Sequence, residues 1–136
     1  MSFRILGSGS ALPKRVVGNE ELSAFLDTSD EWIMQRVGIR ERRVCTTETT
    51  ADIALEASLQ ALEMGGVKPR ELDLILCATV TADHASPSLA CSVQSMLGAE
   101  CPAMDISAAC SGFLYALDVA AGYFARGKKR ILVVGA

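Results

Sequence analysis

The chain has 136 residues, half of them apolar and 21% charged, with a formal net charge of -3. That length supports one domain with a real core, and an acidic balance with pI near 5.1 argues against a nucleic-acid partner. A mean hydropathy of +0.29 beside so many charges implies elements buried on both faces.

Strands and helices alternate along the chain. The stretch 3–12 reads as a first strand rich in small residues, stopped by Pro13. Asn19 is placed to cap a short helix running to residue 26, and Thr28 or Ser29 to cap a second over 30–37. A longer helix is expected over 51–64. Its polar face is Asp52, Glu56, Gln60 and Glu63, and Gly65-Gly66 ends it. The run 72–80 is a continuous apolar strand, 88–97 a helix closed by Gly98, and 103–107 a further strand. Residues 110–126 read as a helix with Phe113, Leu114, Leu117, Ala121 and Phe124 facing inward, and 130–136 as a last strand. Such a succession predicts an α/β fold with a mixed, mostly parallel sheet covered by helices. No repeat, linker or low-complexity segment interrupts it, so 1–136 reads as one unit. The chain stops inside an apolar strand, which reads as truncation within a domain, with an unpaired edge prone to aggregation.

Five cysteines, at 45, 77, 91, 101 and 110, show no C-x-x-C spacing, and there is one histidine, His84. A metal site is therefore not expected. An odd number of free thiols fits a reducing cytoplasm. The N-terminus lacks a signal-peptide layout, and no apolar run is long enough to span a bilayer.

Cys110 stands out because it lies where an apolar strand enters a helix, among Ser107, Ala108, Ala109, Ser111 and Gly112. A thiol there faces unpaired N–H groups and the positive end of the macrodipole, which favour the nucleophilic thiolate. The small residues let a carbonyl approach. The competing reading is an inert buried cysteine. Trp32, the only tryptophan, reads on the residues alone as a partly buried core anchor. The cluster Arg36, Arg40, Arg42 and Arg43 reads as a solvated basic stretch.

Two motifs change these weights. DTSDEWI at 27–33 is followed by RVGIRER at 36–42, and DISAACSG at 105–112 opens the last helix; ADHASPS at 82–88 and QSMLG at 94–98 lie between them. In this order they resemble ketoacyl-acyl-carrier-protein synthase III, the initiating condensing enzyme of type II fatty acid synthesis, of the thiolase-like superfamily. The resemblance implies a layered αβαβα fold of two similar halves, of which this chain would be most of the first, and no cofactor. It implies that Cys110 takes an acyl group from acyl-coenzyme A as a thioester, and that malonyl-acyl carrier protein then condenses with it on losing carbon dioxide. It implies that Trp32 stacks on the adenine of coenzyme A, that Thr28 contacts the same base and that Arg36 meets the phosphates. Arg40 is left as structural or carrier-recruiting, and Val37 stands where the family commonly has Thr. The family's catalytic His and Asn lie in the second half; here the only Asn is Asn19 and the only His is His84. The isolated chain is therefore expected not to complete the condensation. A homodimer is implied for the full-length form. Ser86 stands where some members carry a Phe that walls off the acyl pocket, which implies a deeper pocket; as a turn residue before Pro87 it would have no such role. Two alternatives stay open: a starter-unit synthase of polyketide or secondary metabolism, and a non-catalytic half that binds coenzyme A.

Overall fold

The structure, a computed structural model, describes residues 3–136, which divide into two compact units. The smaller unit, 12–48, holds an antiparallel pair, β1 (Arg15–Gly18) and β2 (Glu41–Val44), and two helices, α1 (Asn19–Ser23) and α2 (Asp30–Val37). Neither strand was expected. Both are four residues long and mostly polar or exposed, so they carry no strong apolar alternation.

Asn19 is not the cap of α1. Gly18 is the N-cap, and the buried Asn19 side chain organises the unit instead. Its amide Nδ2 donates to Asp30 Oδ1 at 2.7 Å and to the Ile39 carbonyl at 2.9 Å. Its Oδ1 accepts from Arg42 Nη2 at 2.6 Å, while Arg42 Nη1 donates to the Val17 carbonyl at 3.1 Å. One buried amide thereby ties α1, the start of α2, the following loop and β2 together, with its polar atoms satisfied. Its bonds to Asn19 and Val17 make Arg42 a structural arginine, separate from the exposed Arg36, Arg40 and Arg43.

The larger unit joins the segment ending at Ala11 to residues 49–136. It contains α3 (Thr50–Gly65), β3 (Leu74–Ala78), α4 (Leu89–Leu97), β4 (Ala103–Ile106), α5 (Gly112–Ala125) and β5 (Ile131–Gly135). The strands form a parallel sheet in the order β4-β3-β5, in keeping with the α/β fold expected. Every residue of β3 is buried. Ile75 and Cys77 face a cluster with Ala51, Ala54, Leu89 and Val93 of α3 and α4, whereas Leu74, Leu76 and Ala78 face Ala116 and Ala120 of α5. Two covered faces explain why β3 is apolar without alternation. Each large side chain so buried contributes roughly 1.5–3 kcal/mol.

Helix ends follow their local signals. Thr49 and Asp52 form a capping box at α3, and Gly66 closes that helix at φ 61°. Ser88 caps α4 by accepting from Cys91 N–H, and Gly98 closes it at φ 67°. The inward face of α5 differs from expectation. Phe113 and Leu114 are exposed, and the buried positions are Gly112, Ala116 and Ala120, spaced by four. Small residues let the helix lie close on the sheet, and this outweighs the burial of larger ones.

Residues 3–12 are not a strand. The Ser8 N–H donates to Met64 Sδ and the Ser10 N–H to Gln60 Oε1 at 3.2 Å. Gly7 and Gly9 lie so near α3 that a Cβ would sit about 2 Å from the carbonyls of Ala61 and Ala57. The segment thus spends its polarity on α3 and not on a sheet edge. β4 and β5 are the two edge strands of the three-stranded sheet, with β3 between them. Among the described residues no helix is long and apolar enough to cross a membrane.

Candidate active site

Cys110 lies on a single turn of 3-10 helix, Ala109–Ser111, that runs into α5, and it is exposed. The reading of an inert buried thiol is therefore set aside. Ala109 adopts φ 45°, the one non-glycine residue at positive φ among those described. An alanine there pays steric strain of about 1–2 kcal/mol. Such outliers cluster at functional sites. The turn stands at the C-terminal end of the sheet. Thr79 N–H donates to the Ile106 carbonyl at 3.3 Å, and a Cβ on Gly112 would meet the Ala78 Cβ at 3.3 Å. Glycine at 112 permits this tight seating of α5 on β3. Ser111 and Gly112 spend their N–H groups on the carbonyls of Ala108 and Ala109. Ala109 and Cys110 are the first residues of the turn, where N–H groups have no acceptor within the turn itself.

The remaining thiols differ in setting. Burial pushes the Cys77 thiol up to about 12, reinforced by the charges of Asp105 and Cys91. Burial also raises Cys101. Cys91 is half-buried, and Cys45 is exposed after β2.

The loop between β3 and α4 holds Asp83, His84 and Ser86, all exposed, and its Ser86–Pro87 peptide is cis. Asp83 accepts from Thr50 N–H at 2.8 Å and Ala51 N–H at 2.9 Å, the start of α3. Burial alone would raise its pKa, but these donors outweigh it and the carboxyl is held low. Asp105, on β4 five residues before the cysteine, accepts from Leu89 N–H at 2.9 Å and Ala90 N–H at 2.8 Å, the start of α4. Sequence reasoning missed both roles. The available signal was Asp105 itself, a carboxylate inside an apolar strand, which must find donors. His84 makes no backbone hydrogen bond among those described; its neighbour is the Asp83 charge.

In the smaller unit, Ser29 caps α2 by accepting from Trp32 N–H at 3.1 Å, and Gly38 closes it at φ 70°. Trp32 is 56% exposed, and Ile33 is the buried residue of the helix. Trp32 is thus no core anchor. The Arg36 Cζ lies 5.5 Å from the centre of its ring, a cation–π contact one helical turn away. Thr28 donates its N–H to the Leu26 carbonyl at 2.9 Å, and its Oγ1 is buried and unpartnered. Thr28 precedes the cap of α2, Trp32 lies in its first turn and Arg36 in its last, while Cys110 and Ser86 belong to the larger unit.

A concavity of about 540 Å³ lies away from the cysteine. It is an apolar groove between the segment 3–9 and β5, walled by α3 and α5.

Comparison with known proteins agrees with this layout. Residues 104–136 match the family model described as 3-Oxoacyl-[acyl-carrier-protein (ACP)] synthase III. The whole chain is 51% identical to a protein of Enterobacter sp. (strain 638) named beta-ketoacyl-[acyl-carrier-protein] synthase III, and spans 44% of its length. The crystal structure of 3-oxoacyl-[acyl-carrier-protein] synthase III from Aquifex aeolicus VF5 superposes with a TM-score of 0.94 at 48% identity, over 99% of this chain and 44% of that one. The priming beta-ketosynthase of the R1128 polyketide pathway superposes with a TM-score of 0.89 at 41% identity, over 97% and 40%. From end to end, then, this chain is homologous to less than half of each of these condensing enzymes and shares its α/β fold with that part.

Proposed function

We propose that the chain carries the acyl-accepting machinery of a ketoacyl synthase III. The observation that supports this most is the exposed Cys110 on a turn strained at Ala109, at the start of α5. The Cys110 sulfur attacks the thioester carbonyl of an acyl-coenzyme A. The carbonyl oxygen gains charge and is met by an amide hydrogen at the start of the turn, that of Cys110 itself. The bond to the coenzyme A sulfur then breaks, and coenzyme A leaves as its thiol with the proton that Cys110 gave up. Splitting the reaction through a covalent intermediate replaces one hard step by two easier ones. An oxyanion donor of this kind is worth roughly 2.7–4 kcal/mol.

In this reading α2 holds the coenzyme A. The exposed Trp32 ring stacks on the adenine, Thr28, just ahead of the helix, contacts the same base, and Arg36 pairs with phosphate, which a planar guanidinium suits. Condensation with malonyl-acyl carrier protein then breaks the bond to the carboxylate and releases carbon dioxide; the carbanion attacks the acyl carbon, the acyl–sulfur bond breaks, Cys110 is returned as the thiolate and the lengthened chain stays on the carrier protein. That step needs hydrogen-bond donors on the enolate oxygen. Asn19 cannot serve, because Asp30, Ile39 and Arg42 already take up its amide. In this reading the donors are the His and Asn that the family resemblance assigns to the second half, and the chain alone stops at the thioester. The reading carries a cytoplasmic setting and a homodimer for the complete enzyme. The small, exposed Ser86 widens the acyl pocket towards branched or longer primers.

A second reading, a priming synthase of polyketide synthesis, is favoured by the 41% identity to the R1128 enzyme. It uses the same cysteine and differs in primer. Because Trp32 is the only tryptophan, its fluorescence tests the coenzyme A site directly. Saturable quenching by coenzyme A, weakened at least tenfold by Arg36→Ala, is expected. An emission unmoved by millimolar coenzyme A would remove α2 from the proposal.

A further inference from the structure

We propose that a cationic pocket between the N-terminal segment and the turn ahead of β5 binds a phosphate monoester with an apolar body. Four of the chain's 13 Lys and Arg fall in the five residues 126–130, RGKKR, of a chain whose net charge is -3. The run closes α5 in a turn. Gly127 takes φ 90°, and Lys128 N–H returns to the Tyr123 carbonyl at 3.1 Å. Asp73 then fixes the backbone, accepting from Lys129 N–H at 2.8 Å and Arg130 N–H at 3.0 Å. The cations therefore project from a clamped backbone. With Arg4, the side chains of Lys128, Lys129 and Arg130 line a concavity of about 460 Å³, and Phe3 and Phe124 supply its apolar part. These two rings stack with centroids 5.6 Å apart, and Phe3 keeps 47% of its surface exposed.

The positive charge is only partly answered from within the chain. Lys128 Nζ lies 4.0 Å from Asp73 Oδ1, and Arg130 Nη2 lies 3.8 Å from Glu71 Oε1. Long pairs at exposed positions hold their cations weakly. Arg4 and Lys129 have no ion pair among the described residues. Two cations without a counter-ion in one pocket call for a dianion. A phosphate monoester carries roughly 1.5–2 negative charges at neutral pH on three acceptor oxygens, whereas a carboxylate carries one. The Arg4 guanidinium suits two of those oxygens, and Lys129 adds a point charge. The phenyl rings then cover the organic part of the ester. Because β4, β3 and β5 run parallel, the residues ahead of β5 lie at the opposite end of the sheet from the Cys110 turn, which follows β4. Strands of four and five residues separate these ends by roughly 13–17 Å. A phosphate held in this pocket does not meet the sulfur, so the site stands apart from acyl transfer.

The test is a titration of the 136-residue chain with phenyl phosphate, octyl phosphate and inorganic phosphate at about 0.15 M salt, read from backbone amide shifts. The amides of residues 3–6 and 128–130 should shift together and saturate, with at least one ester bound about tenfold more tightly than inorganic phosphate. A tighter phenyl ester identifies a flat body, and a tighter octyl ester an alkyl one. Arg4→Ala and Lys129→Ala, both at exposed positions, should each weaken ester binding about tenfold. Arg43→Ala, an exposed cation on β2, should leave it within about twofold of wild type. Equal weakening by Arg43→Ala, or shifts that never saturate, would reduce the effect to general charge screening and overturn the proposal. Inorganic phosphate bound as tightly as both esters would overturn it too, because the rings would then contribute nothing.

Discussion

Replacing Ala109 by glycine tests whether the turn before Cys110 is under strain. Ala109 sits at φ 45°, where a Cβ crowds the following carbonyl. The penalty for an L-residue there is about 1–2 kcal/mol, which glycine avoids. Glycine also loses more backbone freedom on folding, which costs roughly 0.5–1 kcal/mol. The two terms leave Ala109→Gly stabilised by about 0.5–1 kcal/mol. Ala121→Gly, in the interior of α5, has no strain to relieve and should destabilise by about 1 kcal/mol. The measurement is urea unfolding of both variants beside wild type. The midpoint should rise for Ala109→Gly and fall for Ala121→Gly, with unchanged slope. Equal destabilisation of the two would refute the strained turn.

Three further outcomes follow from the same geometry. Asn19→Ala removes three hydrogen bonds and leaves Asp30 and Arg42 without their partner, so it should cost about 2–4 kcal/mol by denaturant titration; a loss under 0.5 kcal/mol would show that the network is not the organiser of residues 12–48. Glu48 is held near 2, chiefly by the Thr46 amide and then by its own amide and that of Thr47. With its pKa depressed from 4.5, its contribution is complete above pH 4.5 and is lost as pH falls towards 2; the Thr46 and Thr47 amide resonances should shift in that window, and no shift would mean the contacts are absent in solution. Iodoacetamide at pH 8 should alkylate Cys110 at least a hundredfold faster than Cys77, whose buried thiol near 12 holds almost no thiolate; comparable rates would contradict the burial assigned to β3.

Elements with strong local signals were legible in the sequence. The helix over 30–37 has the expected bounds, with Ser29, one of the two caps its residues offer, at its start, and the apolar run containing β3 is buried because helices cover both faces. Features set by distant partners were not. The stretch 3–12 has a strand's composition, but its N–H groups bond to Met64 and Gln60 on α3. The face of α5 was misjudged because side-chain size suggested Phe113 and Leu114, whereas close approach to the sheet selects Gly112, Ala116 and Ala120. At the candidate site, Cys110 was legible from its strand-to-helix position. The left-handed Ala109 and the paired amides held by Asp83 and Asp105 were not, because backbone conformation and long-range acceptors leave no spacing signature.

The central claim is that Cys110 accepts an acyl group. Mixing the chain with acetyl-coenzyme A and measuring its mass tests it most directly. One acetyl adduct per chain, mapped to Cys110, released by hydroxylamine and absent in Cys110→Ser, is the predicted result. An unchanged mass, or adducts spread equally over Cys45 and Cys110, would contradict it.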